Sequence, residues 1–450
     1  MKLAPLLSAA WLAVAAMPGA AEVIERQQSV RPLPGGLDSV LMVNDNNPEL
    51  IEDDGILIST FPDRKAASVP VVLNGRFDLF SHHVYAGDTE GSPSSTLWLA
   101  VLAAPLGNAP VSLQLLSGST SLSQATGPGQ TQAPFLPLPS LMPETTDVVA
   151  SGPGSRVAGD LLAGRRAAEL TNRRWTLAPG APTQLLLLPI PVAGLDPLLN
   201  GRNLQLRFHS SGPVALATLA AHGEDGKAPS EQHWLQLLKD QRMSSKEHQP
   251  TPRGSKGKII YSRVSGVQIG SSWRARITDP GSPVLAAPTA PISWPISSLE
   301  RGTLATNQVQ TAELKRFYPG TAWAAHGNYG VEYDLTLPLQ NTGSAAVTLQ
   351  LSLDSPLKGN STTSLLRFRD DLNGPVMFRG PVQTTGLEDP EGGSKGRQTQ
   401  HLVLRQGQRG PSLGQLRLKP GEEKQVRVRL VYPADATPPQ VLTVQPVKQS

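Results

Sequence analysis

Short apolar runs that alternate with polar residues, punctuated at fairly even spacing by glycine and proline, constrain this chain more than any other feature. Glycine and proline each number 42 in 450 residues. Alternation is clear in Ser95–Leu102, Val111–Leu116, Leu204–Phe208 and Val426–Val431. A period of two is the mark of a half-buried strand, and turn residues between such runs point to an all-β architecture. In the last run, Arg427 and Arg429 are expected to face water while Val426, Val428 and Leu430 face a core.

Two segments read as one unit used twice. The first runs from Thr96 through Asn108 to Leu116 and returns at Trp175–Val192. The second runs from Tyr333 through Asn341 to Leu353 and returns at Leu416–Pro433. Asn108 and Asn341–Gly343 are expected to supply the left-handed geometry of a hairpin, and Gly180 and Gly421, each after a proline, a type II turn. The reading is a mainly β protein of two immunoglobulin-like β-sandwich units from an internal duplication, with one or two short helices. The expected division is 22–228, a helix and basic linker at 229–258, and 259–450. The clearest helix spans Ala228–Met243, with Ser230 as N-cap and Trp234, Leu235, Leu237 and Leu238 on its apolar face. A second is expected from Ser155, with Ser155 capping and Val157, Leu161 and Leu162 turned inward. Ser244–Lys258 reads as a mobile linker or surface loop.

Compartment follows from the N-terminus and from cysteine. Lys2, an apolar stretch from Leu3 to Met17 and small residues up to Ala21 form a secretory signal peptide, residues 1–21, with cleavage expected after Ala21. The chain has no cysteine, which removes disulfides, thiolate catalysis and cysteine metal sites. Later apolar stretches are too short to cross a bilayer. The expectation is a soluble exported protein of the periplasm or cell envelope.

Four phrases carry a family resemblance: Leu33–Ser39, Gly55–Pro62, Gly75–Asp78 with His82 and His83, and His326–Val331. The sequence resembles the secreted cyanobacterial proteins grouped as "domain of unknown function 3370", over nearly all of the mature chain. The resemblance implies export and source, and it brings no assigned activity or catalytic residue.

Few motifs carry chemistry. Gly410–Gly414 matches the G-x-S-x-G elbow around Ser412, but strand-like flanks replace the required strand-to-helix turn. The carboxylates Asp45, Glu49, Glu52, Asp53 and Asp54 cluster without the spacing of a calcium loop. Asp78, Asp160, Glu332 and Asp334 are the carboxylates available to a glycan hydrolase, with no identifiable pair. His82 precedes Tyr85 by three residues and His326 precedes Tyr329 by three, so a duplication would make the two histidines equivalent. As a metal centre, His82, His83 and His326 would converge. As framework, His82 and His326 would each bind backbone through both ring nitrogens. His83 has no counterpart in the second copy, where Gly327 stands, which makes it the histidine to test first for chemistry. No motif calls for a cofactor.

Net charge is only +4, but cations gather between Lys239 and Arg276. Without interleaved aromatics in that patch, nucleic acid is not the expected partner of an exported chain. The leading expectation is a non-catalytic envelope protein that binds polysaccharide or another envelope protein. Its contact residues would come from Trp234, Arg253, Lys256, Lys258, Trp273, Arg274 and Arg276, with Trp294 and Trp323 as further stacking surfaces. An envelope glycan hydrolase, or a metal-dependent enzyme, is the alternative.

Overall fold

The computed structural model describes residues 22–62, 65–88, 95–124, 141–143, 152–223, 227–359 and 361–447. The expected signal peptide lies outside the described residues. Among those described the chain is mainly β, with two α-helices, α1 (Pro153–Ala163) and α2 (Glu231–Asp240). The strands form sheets of ten, eight and five members and a two-stranded ribbon.

One strand of 24 residues, Leu199–His222, organises the ten-stranded sheet. Its first half pairs with Leu73–Ala86 on one side and Val111–Leu122 on the other. The register breaks between Ser210 and Val214, across Gly212 and Pro213. Proline has no N–H for the ladder, so the strand bends there. Beyond the bend it pairs with Thr96–Pro105 and Gly55–Ser59. The sheet thereby folds over itself, and Phe77, Leu79, Leu206 and Phe208 meet Val101, Leu188 and Leu216 in a first core. The opposite side of the second half is lined by Ala215, Ala217, Leu219 and Ala221, and the small alanines admit Trp234, Leu237 and Leu238 of α2. Ser230 caps α2 as expected, accepting from the His233 N–H.

A second core lies between the eight- and five-stranded sheets. Leu335, Leu337, Val426 and Val428 from one meet Leu349, Leu351, Leu353 and Leu442 from the other. Hydrogen bonding crosses the 229–258 segment freely. Leu41–Asp45 pairs with both Leu73–Ala86 and Ser265–Ile269, while Val23–Gln27 and Gly36–Leu37 pair with Leu365–Arg369 and Ser272–Arg276.

The repeated segments form matching ladders. Thr96–Pro105 pairs with Thr183–Pro191, and Val111–Leu122 with Arg174–Leu177. Likewise Glu332–Gln340 pairs with Glu423–Val431, and Val347–Asp354 with Ser412–Leu418. Gly180 and Gly421 have φ of 97° and 74°, the left-handed values their turns require. The hairpin expectation is corrected. In each copy the first two strands do not pair with each other but pass between layers, and neither Asn108 nor Asn341 is left-handed. Asn341 turns the chain with its side chain instead, accepting from the Gly343 N–H at 2.9 Å and donating to Ala345 O and Leu418 O.

Two further expectations change. The N-cap of α1 is Gly152, not Ser155, with Pro153 beginning the helix. Ser155 lies in the first turn, where its N–H and hydroxyl both donate to Asp435 Oδ2 at 2.7 and 3.0 Å. The basic linker is fastened to the fold. Asp53 accepts from Ser244 and Ser245, Lys246 donates to Asn47 O at 2.8 Å, and Thr251 and Ile260 bond across a folded-back loop.

Candidate functional site

The three histidines fall into three environments. His83 is fully buried, with Nδ1 2.7 Å from Pro48 O and Nε2 3.0 Å from Asp45 Oδ2. Both ring nitrogens are therefore engaged, one at a carbonyl and one at a carboxylate. Burial pushes the Asp45 carboxyl up, but His83, Thr218 and Lys246 together hold it below the usual carboxylate range. Thr218 Oγ1 donates to Asp45 Oδ2 at 2.6 Å. Lys246, lowered to about 8 by burial, sits 5.0 Å above the Tyr318 ring. His83 has no nitrogen left for a metal, although Asp45 Oδ1 is buried without a hydrogen-bond partner among the described residues.

His82 and His326 do not use both nitrogens on backbone. The Nδ1 of each is buried without a hydrogen-bond partner. They are not structurally equivalent either: His82 is inside the strand Leu73–Ala86, and His326 is in the loop before Glu332–Gln340. Burial lowers both to about 4, so both rings are neutral at pH 7. Among the described residues no group of three or more His, Asp or Glu is placed to hold a metal ion.

His82 lines a cavity at the junction of the two cores, together with Asn200, Arg379, Asp435 and the start of α1. Its Nε2 stands 3.8 Å from Glu49 Oε1, beyond hydrogen-bond reach. Burial raises the Asp435 carboxyl, opposed by His82 and by its two bonds from Ser155.

His326 lines a narrow cleft roofed by the folded-back linker. Arg301 pins that roof through Gly257 O at 2.6 Å and Ser255 O. The Arg253 guanidinium lies 4.1 Å over the half-buried Trp323 ring and pairs with Glu313 at 2.8 Å. Tyr261, 42% exposed, stands 6.1 Å from the His326 ring. Ile259, Ile260 and Leu299 supply apolar walls. Such a site offers aromatic rings, aliphatic walls and the guanidinium groups of Arg253 and Arg301.

The remaining expected contact residues are dispersed. Trp234 is completely buried beneath α2, Trp294 is 2% exposed, and Trp273 is 6% exposed with Nε1 donating to Pro34 O. None of the three presents a ring to solvent, because each sits on the apolar side of its helix or strand. Arg274 and Arg276 alternate outwards from Ser272–Arg276 into an open groove beside Asp334 and Arg427, separate from the Trp323 cleft. Tyr261 and Arg301 were not singled out by sequence. The run Ile259-Ile260-Tyr261 inside a basic loop was the available signal.

The acidic residues are engaged one by one. Glu49 pairs with Arg263, Asp54 with His222 at 2.7 Å, and Asp53 with the linker. Asp160 accepts from Ser119, Asp334 is held bidentately by Arg427, Glu332 by Arg207 and Arg429, and Asp78 is buried beside Arg76. Ser412 opens a strand, and its hydroxyl points to Gly414 O at 3.4 Å, so the elbow geometry is absent.

Solved structures give only remote likenesses. The 11S allergen from Cocos nucifera L. is 11% identical over 93% of this chain and 91% of that one, with a TM-score of 0.11. Procruciferin, an 11S globulin from Brassica napus, is 10% identical over 92% and 84%, with a TM-score of 0.10. Pumpkin seed globulin is 10% identical over 89% and 86%, also at 0.10. At such TM-scores the likeness carries no argument. No curated protein matches this chain. Residues 28–446 match the family described as Protein of unknown function (DUF3370), and the chain belongs to that family.

Proposed function

We propose that this is an exported, non-catalytic protein of the cell envelope, cyanobacterial in origin, whose Trp323 cleft binds an acidic polysaccharide. The observation that carries the reading is the stacked Arg253–Trp323 pair over an aromatic and aliphatic cleft. A sugar acid would exchange its carboxylate or sulfate for Glu313 on the Arg253 guanidinium that Trp323 supports, and lay its C–H face on Tyr261 and the aliphatic walls. Arg253 and Arg301 line it, and Lys256 and Lys258 are exposed on the same linker. Export is supported by the N-terminal pattern, after which the first strand begins at Val23. The matched ladders support an origin by duplication of immunoglobulin-like units at 22–228 and 259–450.

Calorimetric titration of the purified protein with alginate tests the cleft. Saturable binding that weakens with salt and falls at least about tenfold in Trp323→Ala is expected. No binding at low salt, or binding indifferent to Trp323, defeats the reading.

A hydrolase is the second reading, and the coupled His82 and Asp435 at the junction cavity favour it. It requires release of reducing ends from an envelope glycan that is lost in Asp435→Asn.

A further inference from the structure

An open groove lies on the outer face of the five-stranded sheet, remote in character from the cleft above. The strand Val347–Asp354 buries Leu349, Leu351 and Leu353, so its pleat turns Gln350, Ser352 and Asp354 outwards. Gln350 stands directly opposite Gln445 of the strand Gln440–Pro446. Residues opposite one another in an antiparallel pair share a face, so the two side-chain amides sit together on the groove floor. Both are half-buried, and neither side chain makes a hydrogen bond among the described residues.

Asp354, at one end of the floor, is saturated. Its Oδ1 accepts from Ser352 at 2.9 Å and from the Gly410 N–H at 2.8 Å. Its Oδ2 accepts from Arg26 at 2.7 Å and from Thr443 at 2.8 Å. With four bonds accepted it is a structural anchor. Arg26 is thereby neutralised, and it also stacks 4.7 Å over Phe368. Arg369 faces Asp371 at 4.0 Å. On the rim, Arg409 and Asp370 carry one charge of each sign, and neither forms an ion pair among the described residues.

The groove is therefore balanced in charge. Balanced charge gives no attraction for a polyanion. A side-chain amide presents one acceptor and one donor side by side, the complement of two neighbouring hydroxyls. Ile24 and Leu372, 37% and 42% exposed, border the groove with apolar surface for the C–H faces of sugar rings. We propose that this groove is a second binding site, for a neutral glycan chain held through adjacent hydroxyls by Gln350, Gln445 and Arg409. It stands independently of the Trp323 reading.

Calorimetric titration of the purified protein with cellohexaose, maltohexaose and mannohexaose tests it. At least one is expected to bind saturably, with a dissociation constant of about 1 mM or tighter and little dependence on salt. The double variant Gln350→Ala/Gln445→Ala is expected to weaken binding at least about tenfold, and Arg409→Ala, at an exposed side chain, to weaken it without touching the sheet. Trp323→Ala leaves this binding unchanged and affects only alginate. No saturable binding by any of the three oligosaccharides overturns the proposal. So does binding that survives both sets of groove variants, or that disappears in Trp323→Ala.

Discussion

The strand Leu73–Ala86 turns His83 into the first core, where both of its nitrogens are bonded, and turns His82 the other way, to the junction cavity. The two residues are adjacent in sequence, and strand pleating alone separates their chemistry. Phe77, Leu79, His83 and Tyr85 lie on one face; Phe80 and His82 lie on the other, with Phe80 stacked 6.4 Å from Tyr329 of the second core. The difference teaches that a histidine pair says little until each ring's face is known. The residue with a complete set of partners is framework, and the one with an open nitrogen borders a cavity.

The largest expected effect is at His83. His83→Ala strands the Asp45 carboxylate in the core and leaves Pro48 O unpaired, which costs about 3–5 kcal/mol of unfolding free energy. Urea denaturation measures it, and a loss under 1 kcal/mol would break the contrast with His82.

Acid separates the pair in a second way. The folded pKa of His82 is lowered by burial from 6.5 to about 4. The native ring is neutral while the unfolded one protonates first, so stability is full above about pH 6.5 and falls as pH drops towards 4. His82→Gln should flatten that slope by up to about 3 kcal/mol. His326 and His401, also lowered to about 4 by burial, contribute the remainder. Asp45 behaves differently. Its folded pKa is below 3.8, so its contribution persists above that value and disappears only as pH falls through the lower one. An unchanged slope in His82→Gln would show the ring to be protonated already in the native protein.

Smaller effects sharpen the junction. Asp435→Asn weakens the two bonds from Ser155 that tie α1 to the second core, for a loss of about 1–2 kcal/mol, read by thermal unfolding. Ser230→Ala removes the α2 cap, remote from both histidines, for a loss of about 1 kcal/mol. It gauges what an ordinary local bond is worth in this fold.

Much of the framework was legible from local pattern. Alternation placed Val426, Val428 and Leu430 inside, and the cap at Ser230 and the glycine turns at 180 and 421 followed from residue chemistry. In each of the two similar segments the first strand pairs with the last and the second with the strand before it. The connections misled, because an Asn/Gly turn between two strands suits a hairpin and a passage between layers equally well. The site was barely legible. Trp323 and Arg253 had been marked, but so had Trp234 and Trp273, and nothing local distinguishes a tryptophan that fills a core from one that roofs a cleft. Asp435 and the facing amides Gln350 and Gln445 had no local signal, since register and long-range docking create their surroundings.

What the sequence determined by itself is the β character, the helix α2 and the turn positions, because each depends on a few neighbouring residues and their preferred dihedrals. Tertiary structure alone decided which strands exchange between the two cores, which histidine has free nitrogen, and where charge balances in a groove. Those properties depend on partners brought together across hundreds of residues. His83 meets Asp45 and Thr218, and Asp354 meets Arg26 and Thr443, only after the sheets have closed.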